Sequence, residues 1–230
     1  MLNLKIARKL GIEGRYDRFF NPLLRFYNFM KLKLRNNPKI FVVGFNKTGT
    51  TTLFYALEEF GYLMSNQHDF ERLYNKYSKG EIEIDDILKK CFEYEVFQDI
   101  PFSLPEFYRY VYKKYPKSKF ILTVRSSSDI WFNSFNKYYG GKENLIKNNY
   151  LEKGFLFKIF KTVFNSDQFD RQECISVYEQ HNEDVKQFFL NSKNQLLVLD
   201  VSQKDSYNKL CMFLNKNAKR NNFEWKNKTN

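Results

Sequence analysis

The feature that most constrains the fold of this chain is the stretch FVVGFNKTGTTTL at residues 41–53. An apolar run typical of a buried strand ends at Gly44 and is followed by a loop rich in threonine. Apolar side chains then recur at helical spacing from Leu53 to Phe60. The stretch therefore predicts a strand, a tight loop and a helix in direct succession.

The rest of the sequence continues to alternate between short apolar runs and amphipathic stretches. Three further runs are typical of strands: EVFQD (95–99), KFILTVR (119–125) and QLLVLD (195–200). Helices are predicted over 68–78, 84–93, 104–115, 128–139, 173–190 and 206–214, whereas the aromatic and basic segment 142–170 fits no regular pattern. This alternation predicts an α/β fold, a P-loop-type parallel sheet with helices on both faces.

In folds of this class, ligands bind at the carboxyl ends of the parallel strands. The residues at those ends are the loop from Gly44 to Thr51, then Asp99, Arg125 and Asp200. Polar residues also terminate strands for no functional reason, but four such ends together predict a polar site at this edge of the sheet.

Charge is distributed unevenly along the 230 residues, whose formal net charge is +12. Residues 1–36 hold nine basic and two acidic side chains, so we predict a basic N-terminal arm (1–37) and a single domain (38–230). The arm mixes apolar and basic residues at nearly helical spacing, which suits either a solvated helix or contact with an anionic membrane face. No specific nucleic-acid partner is expected, because the sequence shows no RNA-binding aromatic motif, zinc finger or recognition helix.

Cysteine usage and hydropathy indicate where the chain resides. Cys91, Cys174 and Cys211 are widely spaced, lack metal-ligand spacing and are odd in number, so we expect reduced, buried thiols. No apolar run reaches the length of about 18 residues that spans a membrane, and the basic N-terminus lacks the apolar core of a secretory signal. We expect a cytoplasmic protein, peripheral to the inner membrane face if the basic arm binds lipid.

The loop at Gly44–Thr51 has the composition of an anion-binding site. Glycines permit close approach of the backbone to a ligand, and amides at the N-terminus of the following helix favour an anion. Lys47, however, precedes Gly49, whereas the loop of nucleotide triphosphatases places its lysine after the second glycine.

With Lys47 ahead of Thr-Gly-Thr-Thr, the loop resembles the 5′-phosphosulfate loop of the PAPS-dependent sulfotransferases. PAPS is 3′-phosphoadenosine 5′-phosphosulfate, and PAP is the nucleotide that remains after transfer. The stretch KFILTVRSSSDIWFNSF (119–135) resembles the 3′-phosphate motif of the same family. The resemblance spans most of residues 38–230.

The resemblance implies transfer of a sulfuryl group from PAPS to a hydroxyl or amine, with no metal required. It places Arg125 and Ser134 on the 3′-phosphate and Lys47 on the leaving oxygen. The residues that it assigns to the phosphosulfate are Lys47, Thr48, Gly49, Thr50 and Thr51. Aromatic residues in 142–170 would suit a carbohydrate or glycolipid acceptor.

A general base is expected to take the proton of the acceptor. The cytosolic members use a histidine in Thr-His-Leu-Pro, and here QDIP (98–101) puts Asp99 at that position. Asp99 is either this base or a structural carboxylate that binds loop amides before Pro101. His68 is the rival base, while His181 falls on an apolar stripe and is interpreted as a core histidine.

The chain also departs from the animal cytosolic pattern and looks closer to bacterial-type members. Thr52 stands where those proteins carry a tryptophan that stacks on adenine, and the nearest basic C-terminal stretch is KRNNFEWKNK (219–228). Two other functions stay open. One is a metal-dependent P-loop kinase or NTPase with Asp200 as the magnesium-binding residue, and the other is a non-catalytic basic module that binds membrane or nucleic acid.

Overall fold

The computed structural model describes Met30, Leu32, Leu34, residues 37–148 and residues 150–224. The predicted basic arm therefore lies almost wholly outside the described residues, as do residues 225–228 of the basic C-terminal stretch. The membrane contact assigned to the arm stays a prediction. From Pro38 onward the described chain belongs to one compact unit.

A parallel sheet forms the centre of this unit, with strand order β2–β1–β3–β4 in the part of the chain that is described. The strands are Ile40–Val42 (β1), Val96–Phe97 (β2), Lys119–Thr123 (β3) and Leu196–Leu199 (β4). All four predicted strands are present, and each is shorter than predicted by residues at one or both of its ends.

Helices surround the sheet at nearly the predicted positions. They are Thr50–Glu59 (α1), Gln67–Ser78 (α2), Ile84–Lys90 (α3), Phe107–Lys114 (α4), Ser128–Tyr139 (α5), Gly141–Lys147 (α6), Phe155–Phe164 (α7), Arg171–Phe188 (α8) and Ser206–Leu214 (α9). A 3₁₀ turn, Cys91–Glu93, follows α3. Among the helices of the described residues, α6, which begins one residue before segment 142–170, and α7, which lies within it, had no counterpart among the predicted elements.

The two faces of the sheet pack against different helices. Side chains alternate along a strand, so Ile40 and Val42 join a core with α1 and α9, while Phe41 and Val43 join a core with α2–α8. The prediction of an α/β fold with helices on both faces is confirmed.

Aromatic residues of α7 cover α5 and so explain the composition of the unassigned segment. Phe160 and Phe164 lie with ring centroids 5.3 and 5.4 Å from that of Phe135. Trp131, also on α5, stacks on Tyr178 at 4.3 Å and donates its indole N–H to the Asn46 carbonyl. These contacts fix α5 beside the loop that follows β1.

Two smaller expectations, on the cysteines and on His181, are also met. The three cysteines are free and buried. His181 is a core histidine, with Nε2 2.8 Å from the Val43 carbonyl oxygen and its ring stacked on Phe45. Ser127 caps α5 by accepting a hydrogen bond from the Ile130 amide. No described helix is long and apolar enough to cross a membrane.

Gly49 is a position where only glycine fits, and this generates a test of the fold. Its φ is +95°, and an added Cβ would lie 2.4 Å from Val201 Cγ2, whereas Gly80 has φ +73° with open space around it. Both Gly49→Ala and Gly80→Ala incur the left-handed penalty of about 1–2 kcal/mol, but only Gly49→Ala adds a clash. Urea unfolding should therefore show a clearly larger stability loss for Gly49→Ala, and equal losses would contradict the packing of the loop on Val201.

Candidate active site

The loop between β1 and α1 is fastened to the end of β3 by a buried threonine. Thr48 is fully buried, and its Oγ1 donates to the Phe45 carbonyl at 2.5 Å and lies 2.6 Å from Thr123 Oγ1. Gly44 lies so close to the same strand that an added Cβ would come within 2.2 Å of the Thr123 carbonyl oxygen. The hydroxyl of Thr48 is thus structural, and Thr48, although predicted to bind the phosphosulfate, is not among the residues that line the cavity at the N-terminus of α1.

The N-terminus of α1 opens into a large cavity. The first amides of a helix have no intrahelical acceptor, and among the described residues no side chain caps this end, where Gly49 takes the left-handed conformation. Gly49, Thr50 and Thr51 line the cavity, which has a volume of about 1110 Å³. The helix end therefore presents hydrogen-bond donors and a partial positive charge to the cavity.

Lys47 also lines this cavity and is held by an aromatic ring. Its Nζ lies 3.8 Å from the ring centroid of Tyr138 on α5, a cation–π contact. Burial, followed by the neighbouring Arg125 guanidinium, lowers the pKa of Lys47, and the Asp99 carboxylate opposes this shift. The ammonium group is consequently partly desolvated, where its electrostatic effect on a bound anion is stronger than in water.

Arg125 joins the loop to β3 while keeping donors for a ligand. Its Nε donates to the Lys47 carbonyl at 2.8 Å, and its backbone N–H donates to the Tyr178 hydroxyl at 3.1 Å. The four N–H groups on its terminal nitrogens are not used in these bonds. Arg125 lines the same cavity, so the predicted strand-end arginine and the predicted loop lie side by side.

Ser134 contributes an unusual hydroxyl to the cavity wall. Its Oγ is buried and has no hydrogen-bond partner among the described residues. Buried polar atoms are nearly always hydrogen-bonded, so an unpartnered hydroxyl at a cavity is a position suited to a ligand. Ser134 lies on α5, the helix that begins three residues after Arg125.

Asp99 follows β2 in a left-handed conformation, with φ 58°, and lines the cavity. It is 5% exposed and accepts hydrogen bonds from Gln98 Nε2 at 2.9 Å and Thr50 Oγ1 at 3.4 Å. Burial, and then the negative charge of Glu71, raise the pKa of Asp99 to about 6. These side-chain partners differ from the loop amides that a purely structural role had suggested.

His68 lies outside the cavity lining, at the start of α2, with 52% of its side chain exposed. Its Nδ1 is 2.5 Å from the hydroxyl of Tyr150, which does line the cavity. Of the two candidate bases, Asp99 is therefore the one that reaches the cavity directly.

Two residues that sequence reasoning missed complete the wall near Asp99. Glu71 is 2% exposed and accepts hydrogen bonds from Gln67 Nε2 at 2.7 Å and from the Tyr150 hydroxyl at 2.6 Å. The available signal was a polar pair four residues apart, with Gln67 directly before the predicted helix 68–78 and Glu71 inside it. Tyr150 had no signal, because it lies in the segment that fitted no pattern.

Asp200, the residue on which a metal-dependent kinase or NTPase would depend, stabilises a turn. Its Oδ1 accepts hydrogen bonds from the amide and hydroxyl of Ser202, at 2.9 and 2.6 Å. It is not among the residues that line the cavity.

A comparison with protein-family models matched residues 39–230 to the model described as "Sulfotransferase domain". A comparison with curated proteins found no match. The matched range includes every residue that lines the cavity. The match extends over most of the chain, and the chain therefore belongs to the sulfotransferase family, whose chemistry is sulfuryl transfer.

Proposed function

We propose that the protein is a PAPS-dependent sulfotransferase that acts on a hydroxyl or amine of an acceptor, with a carbohydrate or glycolipid as the acceptor. One observation carries this proposal. The uncapped N-terminus of α1, Lys47, Arg125 and the unpartnered hydroxyl of Ser134 all line a single cavity.

The residues present fit a donor that has two separate anionic groups. Lys47 and the amides at the start of α1 suit the 5′-phosphosulfate. Arg125, with four remaining guanidinium N–H groups, and Ser134, with its unpartnered Oγ, suit the 3′-phosphate. When bound, PAPS would supply the sulfuryl group to be transferred.

Lys47 and Asp99 would share the chemistry of the transfer. Asp99 would take the proton of the acceptor hydroxyl while that oxygen forms its bond to sulfur, because its pKa of about 6 leaves it ionised at neutral pH. Lys47 would stabilise the negative charge that develops on the leaving oxygen as its bond to sulfur breaks. The two residues line the same cavity, as a shared reaction centre requires.

The remainder of the cavity supports a hydroxyl-rich acceptor. Its lining also includes five amide and phenol side chains: Gln67, Tyr139, Asn144, Asn148 and Tyr150. Such groups exchange hydrogen bonds with hydroxyls, and the aromatic rings can pack on a sugar face.

The first prediction for this function concerns donor binding without metal. PAP should raise the melting temperature of the full chain in EDTA, since a ligand at a hundredfold excess over Kd stabilises by about 2.7 kcal/mol. The matched variant is Arg125→Ala, which removes charge-assisted hydrogen bonds worth roughly 1.5–3 kcal/mol each. By calorimetry it should lose far more affinity for PAP than for adenosine 5′-phosphosulfate, which lacks the 3′-phosphate.

Two results would count against the donor assignment. A shift with Mg-ATP and none with PAP would favour the kinase alternative instead. Equal affinity losses of Arg125→Ala for the two nucleotides would remove Arg125 from the 3′-phosphate. Arg109→Ala serves as a control, because Arg109 pairs with Glu106 and does not line the cavity.

The second prediction concerns the pH dependence of transfer. With a pKa of about 6 for Asp99, kcat/KM should fall as the pH drops below 6, because the protonated carboxyl cannot accept a proton. Asp99→Asn should slow transfer by roughly 10²–10⁴ and leave PAP affinity nearly unchanged. His68→Ala should retain transfer, and the reverse pattern would make His68 the base.

Stability distinguishes this role of Asp99 from a structural one. Its folded pKa of about 6 exceeds its ordinary value of 3.8, so between these pH values the native state holds a proton that the unfolded chain has lost. The ionised carboxylate therefore lowers stability above pH 6. Asp99→Asn should melt at the same or a higher temperature than the wild type at pH 7.5, whereas unfolding would indicate that Asp99 holds the loop.

A further inference from the structure

The charged side chains that line the cavity are of both signs and come from different elements of the fold. Of the described lining residues, the cations are Lys47, Arg125 and Lys137, from the loop after β1, the end of β3 and α5. The anions are Glu71, from α2, and Asp99, after β2. Lys47 and Arg125 are the cations proposed to hold the donor, and the proposed role of Asp99 as the base brings the acceptor to the carboxylates.

Glu71 is fixed in place rather than free to turn away. Gln67 donates to one carboxylate oxygen, the Tyr150 hydroxyl donates to the other, and His68 Nδ1 lies 3.5 Å from the same oxygen as Tyr150. A carboxylate that is only 2% exposed is costly to bury, and hydrogen bonds from such partners offset that cost. The carboxylate group is therefore held in a fixed position in the lining of the cavity.

The two carboxylates lie within electrostatic reach of each other. After burial, Glu71 is the largest influence that raises the pKa of Asp99. Both carboxylates line the same cavity and are themselves buried, so a hydroxyl positioned to give its proton to Asp99 is also within the field of Glu71.

We propose that Glu71 selects the charge of the acceptor, so that the site takes a hydroxyl-rich molecule that is neutral or carries an ammonium near the reacting hydroxyl. A carboxylate or sulfate at that place would lie against two carboxylates, and like charges in a poorly solvated site oppose binding. This inference rests on the proposed function. It also implies that an acceptor already sulfated next to the reacting hydroxyl is a poor substrate.

The test compares three matched sugars with the full-length protein and radiolabelled PAPS. They are methyl β-D-glucopyranoside, its 2-amino-2-deoxy analogue and methyl β-D-glucuronide, which differ mainly in charge. The wild type should transfer to the neutral and amino sugars with a kcat/KM at least about tenfold above that for the glucuronide, the factor that corresponds to one pKa unit of interaction.

Glu71→Gln should reduce that preference about tenfold, because it removes the charge and keeps the size of the side chain. Asp69→Asn is the matched control on the same helix. Asp69 forms an exposed ion pair with Arg72 at 3.3 Å and does not line the cavity, so its loss should leave the preference unchanged.

Several outcomes would overturn the proposal. One is an equal kcat/KM of the wild type for the glucuronide and for the neutral sugar. Another is a Glu71→Gln variant that folds and keeps the wild-type preference. The third is the absence of transfer to any of the three sugars. The wild-type comparison decides even if Glu71→Gln fails to fold. The rise in melting temperature with PAP in EDTA, measured on the same protein, distinguishes failure of this inference from failure of the proposed function. If PAP raises the melting temperature, only the acceptor inference fails. If PAP does not, the proposed function fails as well.

Discussion

A buried hydrogen bond between the hydroxyls of Thr48 and Thr123 holds the loop after β1 against the end of β3. Gly44 permits this contact, because any side chain there would collide with Thr123. Once the loop is fixed, the Lys47 carbonyl lies where Arg125 Nε can donate to it. The loop lysine and the strand-end arginine, 78 positions apart in sequence, thereby reach one cavity.

Burial shifts the pKa values of two ionisable groups that line that cavity in opposite directions. It lowers the pKa of Lys47 and raises the pKa of Asp99, since in each case desolvation disfavours the charged form. The ring of Tyr138 offsets part of the cost of desolvating the Lys47 ammonium. Hydrogen bonds from Gln98 and Thr50 offset part of the cost of desolvating the Asp99 carboxylate. A cation and a carboxylate held in this way suit a reaction in which charge develops on one oxygen while another loses a proton.

The sequence predicted those parts of the fold and the site that depend on the spacing of apolar residues and on the polar residues at strand ends. Apolar periodicity located β1, α1 and β3, and the rule that polar strand ends meet at one edge brought Asp99 and Arg125 to the cavity. The burial of the Thr48 hydroxyl, the separation of His68 from the cavity and the position of Tyr150 depend on tertiary packing. α7 was missed although its buried residues recur at helical spacing, and only its packing against α5 depends on tertiary structure.

The most direct test of the central claim, that Lys47 acts on the leaving group at this cavity, is the single-turnover rate of sulfate transfer by Lys47→Ala saturated with PAPS. Loss of an electrostatic donor to the developing charge should lower this rate by about 10²–10³. Lys142→Ala, which removes an exposed partner of Asp167, should match the wild type. A Lys47→Ala variant that binds PAP weakly but transfers at the wild-type rate when saturated would contradict the claim.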